Sequence, residues 1–167
     1  MSGIVVLSGD PHPDSRTARL ATGIGTSTAQ LIGARPPEVI DLAEYGYRLL
    51  VPEAEEVSRA IENVRDADLL VIATPTYNGT FSGVLKVFLD CFPSDGLAGR
   101  PALSVVVSAT PGRAEVAEGH LHALLAEMGA TTPGPGLAVA EDQLVQPDVL
   151  ITGYLDRVRG ALGVPAH

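Results

Sequence analysis

The sequence contains a single cysteine, Cys91, and no tryptophan. One thiol excludes an internal disulfide framework and a cysteine-based zinc site. Aromatic residues make up 4% of the chain, too few for a base-stacking platform. Basic residues are also scarce. Eleven Lys and Arg stand against twenty Asp and Glu, which leaves a formal charge of −9. With no Lys/Arg run, binding to nucleic acid or to an anionic membrane is not expected. No apolar run reaches transmembrane length, and the opening MSGIVVLSGD lacks the basic and long apolar regions of a signal peptide. A cytoplasmic enzyme or binding domain is the expectation. No cluster of His, Cys or carboxylates has metal-ligand spacing, so no metal is expected.

What is present is the composition of a folded protein. Of 167 residues, 46% are hydrophobic and 19% charged. This length predicts one domain over residues 1–167. Short β-branched runs alternate with longer Ala/Leu/Glu-rich stretches. Strands are predicted at Ile4 to Leu7, Glu38 to Leu42, Leu69 to Ala73, Ala102 to Val107 and Leu137 to Ala140. Helices are predicted at Ser15 to Ile32, Glu53 to Arg65, Ser82 to Phe92, Glu115 to Met128 and Asp148 to Leu162. Pro52 suits a helix start, Pro93 a helix stop and Gly129 a C′ position. Gly23 and Gly25 weaken the first helix. Strands alternating with helices imply α/β architecture, a parallel sheet covered on both faces.

Ligands of such sheets sit beyond the carboxyl ends of the strands. Three loops there are rich in Gly, Ser, Thr or Pro. The first, Ser8 to Thr17, enters a helix at Ser15, Arg16 and Thr17. Free backbone N–H groups, two hydroxyls and a guanidinium at a helix N-terminus suit a phosphate. The plainer interpretation makes Asp14 or Ser15 an N-cap and Arg16 a solvated charge. The loop is neither a Walker A sequence nor G-x-G-x-x-G. The second, Ala73 to Gly83, offers the Tyr77 ring and the Asn78 amide, with Gly79 and Gly83 permitting close approach. An ordinary loop with Ser82 as helix cap explains it equally well. The third, Ser108 to Arg113, has small residues against which a flat ligand could lie, or is a simple β-to-α turn.

Together these loops resemble the NAD(P)H-dependent FMN reductase family of flavodoxin-like proteins, in particular the small reductases that serve two-component flavin monooxygenases such as those of sulfonate use. ATPTYNGTFSGVLKVFLD, from Ala73 to Asp90, carries most of the likeness, because it follows the family's T-P-x-Y-x-x-x-x-S-G-x-L-K-x-x-L-D signature nearly throughout. Ile4 to Leu20 resembles the opening strand and phosphate loop, and Ser108 to Ala130 matches loosely. The resemblance implies a flavodoxin-like three-layer sandwich with a five-stranded parallel sheet in the order 2-1-3-4-5. It implies FMN and NAD(P)H as cofactor and substrate, and a homodimer or homotetramer. It places Gly9, His12, Ser15, Arg16 and Thr17 at the FMN phosphate. Pro75, Thr76, Tyr77, Asn78 and Gly79 fall at the isoalloxazine edge and ribityl chain, and Thr110, Pro111, Gly112 and Arg113 at the far edge of the flavin. Ser82 is expected to cap a helix, and Lys86 and Asp90 to serve packing or subunit contacts.

Two positions depart from the family pattern. Asp10 stands where a serine is usual, and His12 where an arginine is usual. A carboxylate within about 4 Å of a phosphate would repel it by on the order of 4 kcal/mol at an effective dielectric near 20. Two arrangements relieve this. Asp10 can turn to backbone N–H groups of its own loop, or His12 can carry a proton between Asp10 and the phosphate.

No catalytic side chain is expected, because a flavin supplies the hydride chemistry itself. His120 and His122 are two residues apart and do not share a helix face, so they are expected at the surface. Cys91 is expected to be a small buried side chain, and Tyr45 and Tyr47 to cover the sheet edge. Two other functions compete with the reductase: a flavin-binding electron carrier without nicotinamide turnover, and a flavodoxin-like scaffold whose phosphate site Asp10 has disabled.

Overall fold

The computed structural model describes residues 3–164. The terminal residues of the 1–167 domain expectation lie outside it. Five parallel strands form the sheet: β1 (Ile4–Ser8), β2 (Glu38–Asp41), β3 (Leu69–Tyr77), β5 (Ala102–Ser108) and β6 (Leu137–Ala140). A short β4 (Thr80–Phe81) pairs antiparallel with the end of β3. The sheet order is β2-β1-β3-β5-β6, which is the expected 2-1-3-4-5 once the added hairpin strand is set aside. The order reverses at β1 and β3, so their carboxyl ends open a crevice. The helices are α1 (Arg16–Ile32), α2 (Glu55–Asp66), α3 (Gly83–Leu89), α4 (Pro111–Glu127) and α5 (Pro147–Val158).

Every residue of β1 and β5 is buried, as strands covered on both faces must be. Alternation splits their side chains between two cores. Val5, Leu7, Leu70 and Ile72 join Val64, Leu85, Phe88 and Leu121 on one face. Ile4, Val6, Val71 and Val105 join Leu20, Ile24, Ile151 and Tyr154 on the other. Gly23 and Gly25 hold α1 close to its neighbours. A Cβ on Gly25 would strike Val6, and one on Gly23 would strike Ile151. The helix-propensity cost of these glycines is offset by that close approach.

Several boundaries differ from the sequence expectation. β3 continues to Tyr77, because Asn78 and Gly79 form the two-residue tip of a hairpin. Both have positive φ, +51° and +85°, as a type I′ turn requires. α4 begins at Pro111 instead of Glu115, with the proline at N1, where its missing N–H costs nothing. α2 begins at Glu55, two residues beyond the expected start, so Pro52 lies outside it. α3 ends at Leu89, ahead of Pro93, and α5 spans Pro147–Val158 instead of reaching Leu162. Gly129 takes the expected left-handed C′ position at φ +84°.

Candidate functional site

Ser15 caps α1. Its extended backbone turns the chain, and its hydroxyl accepts the Ala18 N–H at 3.1 Å. The N–H groups of Arg16 and Thr17, in the first turn, are left without intrahelical acceptors, as at any helix start. Gly9 has a packing role. Its N–H donates to the Ala73 carbonyl at 2.8 Å, and its own carbonyl accepts the Ser82 hydroxyl. Ser82 also caps α3, accepting the Leu85 N–H at 3.1 Å, the capping role expected of it. One serine therefore ties the first loop to the second.

The loops after β1, β3 and β5 meet around a cleft of about 480 Å³. Asp10, His12, Ser15, Arg16 and Thr17 line it from the first loop and the start of α1. Pro75, Thr76 and Tyr77 line it from the end of β3. Val107, Ser108, Ala109 and Arg113 line it from β5 and α4, and Glu141 from the turn after β6. The Thr76 and Ser108 hydroxyls are 2.6 Å apart and pin two strand ends together. The fourteen residues that the family resemblance places at the flavin do not all share this position. His12, Ser15, Arg16, Thr17, Pro75, Thr76, Tyr77 and Arg113 line the cleft, whereas Gly9 packs behind it. Asn78 and Gly79 sit at the exposed hairpin tip, and Thr110, Pro111 and Gly112 form the start of α4 without lining the cleft.

Charge in the cleft is mixed. Arg16 pairs with Glu141 at 2.8 Å. Asp10 is buried, and its Oδ1 accepts both the His12 backbone N–H at 2.9 Å and the ring Nδ1 at 3.1 Å. Burial raises the Tyr77 phenol above its ordinary value, and the Asp10 carboxylate adds to that rise. Tyr77 is half-exposed and presents a ring to the cleft.

Sequence reasoning missed Glu141, although it directly follows β6 and the same carboxyl-end rule covers that turn. It also missed Val107, whereas Ser108 and Ala109 belong to the third loop, read as a surface for a flat ligand. An apolar strand residue such as Val107 carries little chemical signal until the strand that bears it is placed. His120 lies exposed on α4, with its Nδ1 3.1 Å from the Thr80 hydroxyl. Tyr45 packs partly buried against the core and Tyr47 is exposed; neither lines the cleft. Cys91 is half-buried, with its thiol 3.4 Å from the Val87 carbonyl.

The donor set suits a phosphorylated, planar ligand. Helix N–H groups, hydroxyls, an imidazole and the Arg16 guanidinium come from the first loop and the start of α1, and Tyr77, small residues and Arg113 complete the slot. A volume of this size is that of an ordinary small-ligand site. Two carboxylates oppose an anion there: Glu141, which pairs with Arg16, and the buried Asp10, whose bonds to His12 offset it.

This fold, with its site at the switch in strand order, is that of a flavodoxin-like protein. The flavodoxin, WrbA-like protein from Agrobacterium tumefaciens superposes with a TM-score of 0.63 at 16% identity, over 99% of this chain and 100% of that one. The chain belongs to the NADPH-dependent FMN reductase family, which it matches over residues 3–143. It is 29% identical to the NADH-dependent FMN reductase SfnE of Pseudomonas putida, over 93% of this chain and 86% of that protein. The apo form of the NADH:FMN oxidoreductase EMOB is 25% identical, with a TM-score of 0.71, and the alignment covers 100% of this chain and 92% of EMOB.

Proposed function

We propose that the protein is an NAD(P)H-dependent FMN reductase, working as one cytoplasmic domain that passes reduced flavin to a partner monooxygenase or another acceptor. The observation that carries this reading is the cleft where the loops after β1, β3 and β5 converge, in a chain of the FMN reductase family.

The first loop and the start of α1 hold the phosphate, through the Arg16 and Thr17 N–H groups, the Ser15 and Thr17 hydroxyls, Arg16 and His12. Gly9 sets the path of that loop. Pro75, Thr76 and Tyr77 flank the ring system, and the Asn78-Gly79 turn fixes the direction of Tyr77. Thr110, Pro111 and Gly112 start α4 so that Arg113 reaches the cleft. When bound, FMN accepts hydride from the nicotinamide and hands electrons on. The chain supplies orientation and exclusion of water, and no side chain needs to move a proton for the hydride step. The homo-oligomer proposed with this function would cover exposed Tyr47, Leu50 and Val51, and light scattering of the purified protein measures it.

The test is FMN titration followed by NADH or NADPH. Saturable binding with rapid loss of nicotinamide absorbance is the expected result. Binding without nicotinamide oxidation would identify a carrier, and absence of binding at high-micromolar FMN would end the flavin reading.

A further inference from the structure

Asp10 is a buried carboxylate in a site whose helix N-terminus, hydroxyls and guanidinium groups suit an anion. Its side chain is 10% exposed, and it lines the cleft together with Ser15, Arg16 and Thr17. A carboxylate so placed opposes a phosphate unless a cation stands with it. The residue that stands with it is His12. One Asp10 oxygen, Oδ1, takes two bonds from His12. The backbone bond, 2.9 Å from residue i+2, closes an Asx turn that fixes the loop. The ring bond, 3.1 Å to Nδ1, fixes the imidazole. With a proton on Nδ1 held by the carboxylate, the other ring nitrogen, Nε2, is the one available to a ligand. The His12 side chain is 76% exposed and also lines the cleft.

We infer that Asp10 is a positioning residue that makes His12 the protonation-dependent reader of the flavin 5′-phosphate, so that preference for FMN over riboflavin falls as pH rises. This rests on the FMN reductase reading and assigns the phosphate selectivity of that same site. Below the imidazole range, His12 carries two N–H donors. Nδ1–H bonds Asp10, and Nε2–H is free for a phosphate oxygen. Above it, Nε2 is an acceptor, the site loses the positive charge beside Asp10 and its hold on the phosphate weakens. The other charged and titratable groups around the cleft are Arg16, paired with Glu141, Arg113 and Tyr77. The guanidinium groups hold their charge throughout. Tyr77, its phenol raised by burial, stays neutral from pH 5.5 to 8.5 and does not compete with the imidazole in that range. The ligand phosphate gains negative charge over the same range, which by itself tightens binding to a permanent cation. The sign of the slope therefore identifies the residue.

The experiment measures Kd for FMN and for riboflavin by flavin fluorescence from pH 5.5 to 8.5, in the wild type, H12R and D10N. In the wild type, FMN affinity is expected to fall about tenfold across the imidazole range, while riboflavin affinity stays flat. H12R is expected to reverse the slope, because its cation persists while the phosphate ionises. D10N is expected to flatten the slope for FMN relative to riboflavin, which a merely structural role for Asp10 would not do, since that would weaken both flavins alike at every pH. Wild-type FMN affinity that is flat or rises with pH would overturn the inference, and so would a wild-type slope retained in D10N. Failure of the wild type to bind either flavin would instead remove the FMN reductase reading, and this inference with it.

Discussion

A Cβ built on Gly9 would lie 2.6 Å from the Cβ of Leu85 and 3.3 Å from the Ala73 carbonyl oxygen. Both neighbours belong to elements that cannot swing aside, since Leu85 is fully buried in α3 and Ala73 is inside β3. Gly9→Ala is therefore expected to cost about 1–3 kcal/mol through overpacking. It should also weaken FMN binding, because Asp10 and the rest of the phosphate loop follow directly. Urea unfolding and an FMN titration of the same variant measure the two effects. Tyr154 presents the opposite case. Its ring is buried in the second core and its hydroxyl has no protein hydrogen-bond partner. Burial pushes its phenol well above the ordinary value of 10.0. A folded-state pKa raised in this way contributes stability that is present below about pH 10 and lost as pH climbs further. Tyr154→Phe keeps the ring and removes the orphan hydroxyl. It is expected to stabilise the fold by about 1 kcal/mol at neutral pH. Urea midpoints at pH 8 and pH 10.5 should fall less in the variant than in the wild type.

At the scale of elements, the β3–β4 hairpin links fold to site. Thr76 pairs with Phe81 and Tyr77 with Thr80, and the tip is Asn78-Gly79. Gly79 has φ +85° with open space around it, so the turn demands glycine for its backbone alone. Gly79→Ala is expected to cost about 1–2 kcal/mol and to weaken flavin binding by displacing Tyr77. Thermal unfolding and an FMN titration would check this, and unchanged flavin affinity would show that Tyr77 does not depend on the turn. The hairpin also shows where sequence reading stops. Asn-Gly between Thr76-Tyr77 and Thr80-Phe81 has the local chemistry of a two-residue turn. The whole stretch nevertheless read as a loop, because its apolar character ends at Ala73 and the strand continues through polar residues. The main parallel strands were legible because buried parallel strands are continuous apolar runs. Ser15 and Ser82 were legible as caps because capping is local chemistry. Glu141 and Val107 were not, because they reach the cleft only through the placement of β5 and β6. Asp10 was legible as an anomaly. Its turn toward His12 required the loop's conformation.

For the whole molecule, the decisive quantity is the formal charge of −9. FMN carries about −1.5 to −2 on its phosphate near neutral pH, so ligand and protein approach with like sign. The cleft departs from the molecule around it: Arg16, Arg113 and His12 face Asp10 and Glu141, and at neutral imidazole the site is balanced. Attraction acts over a few ångströms and repulsion from the acidic surface over tens. The screening length falls from about 30 Å at 0.01 M salt to about 8 Å at 0.15 M. Added salt therefore removes the distant repulsion first and leaves the close contacts. Across that range the association rate of FMN is expected to rise on the order of threefold, while that of uncharged riboflavin stays constant. Stopped-flow quenching of flavin fluorescence measures both. A rate for FMN that falls with salt would mean that the cleft cations govern the field well beyond the site, and that the acidic surface plays no part in how the ligand arrives.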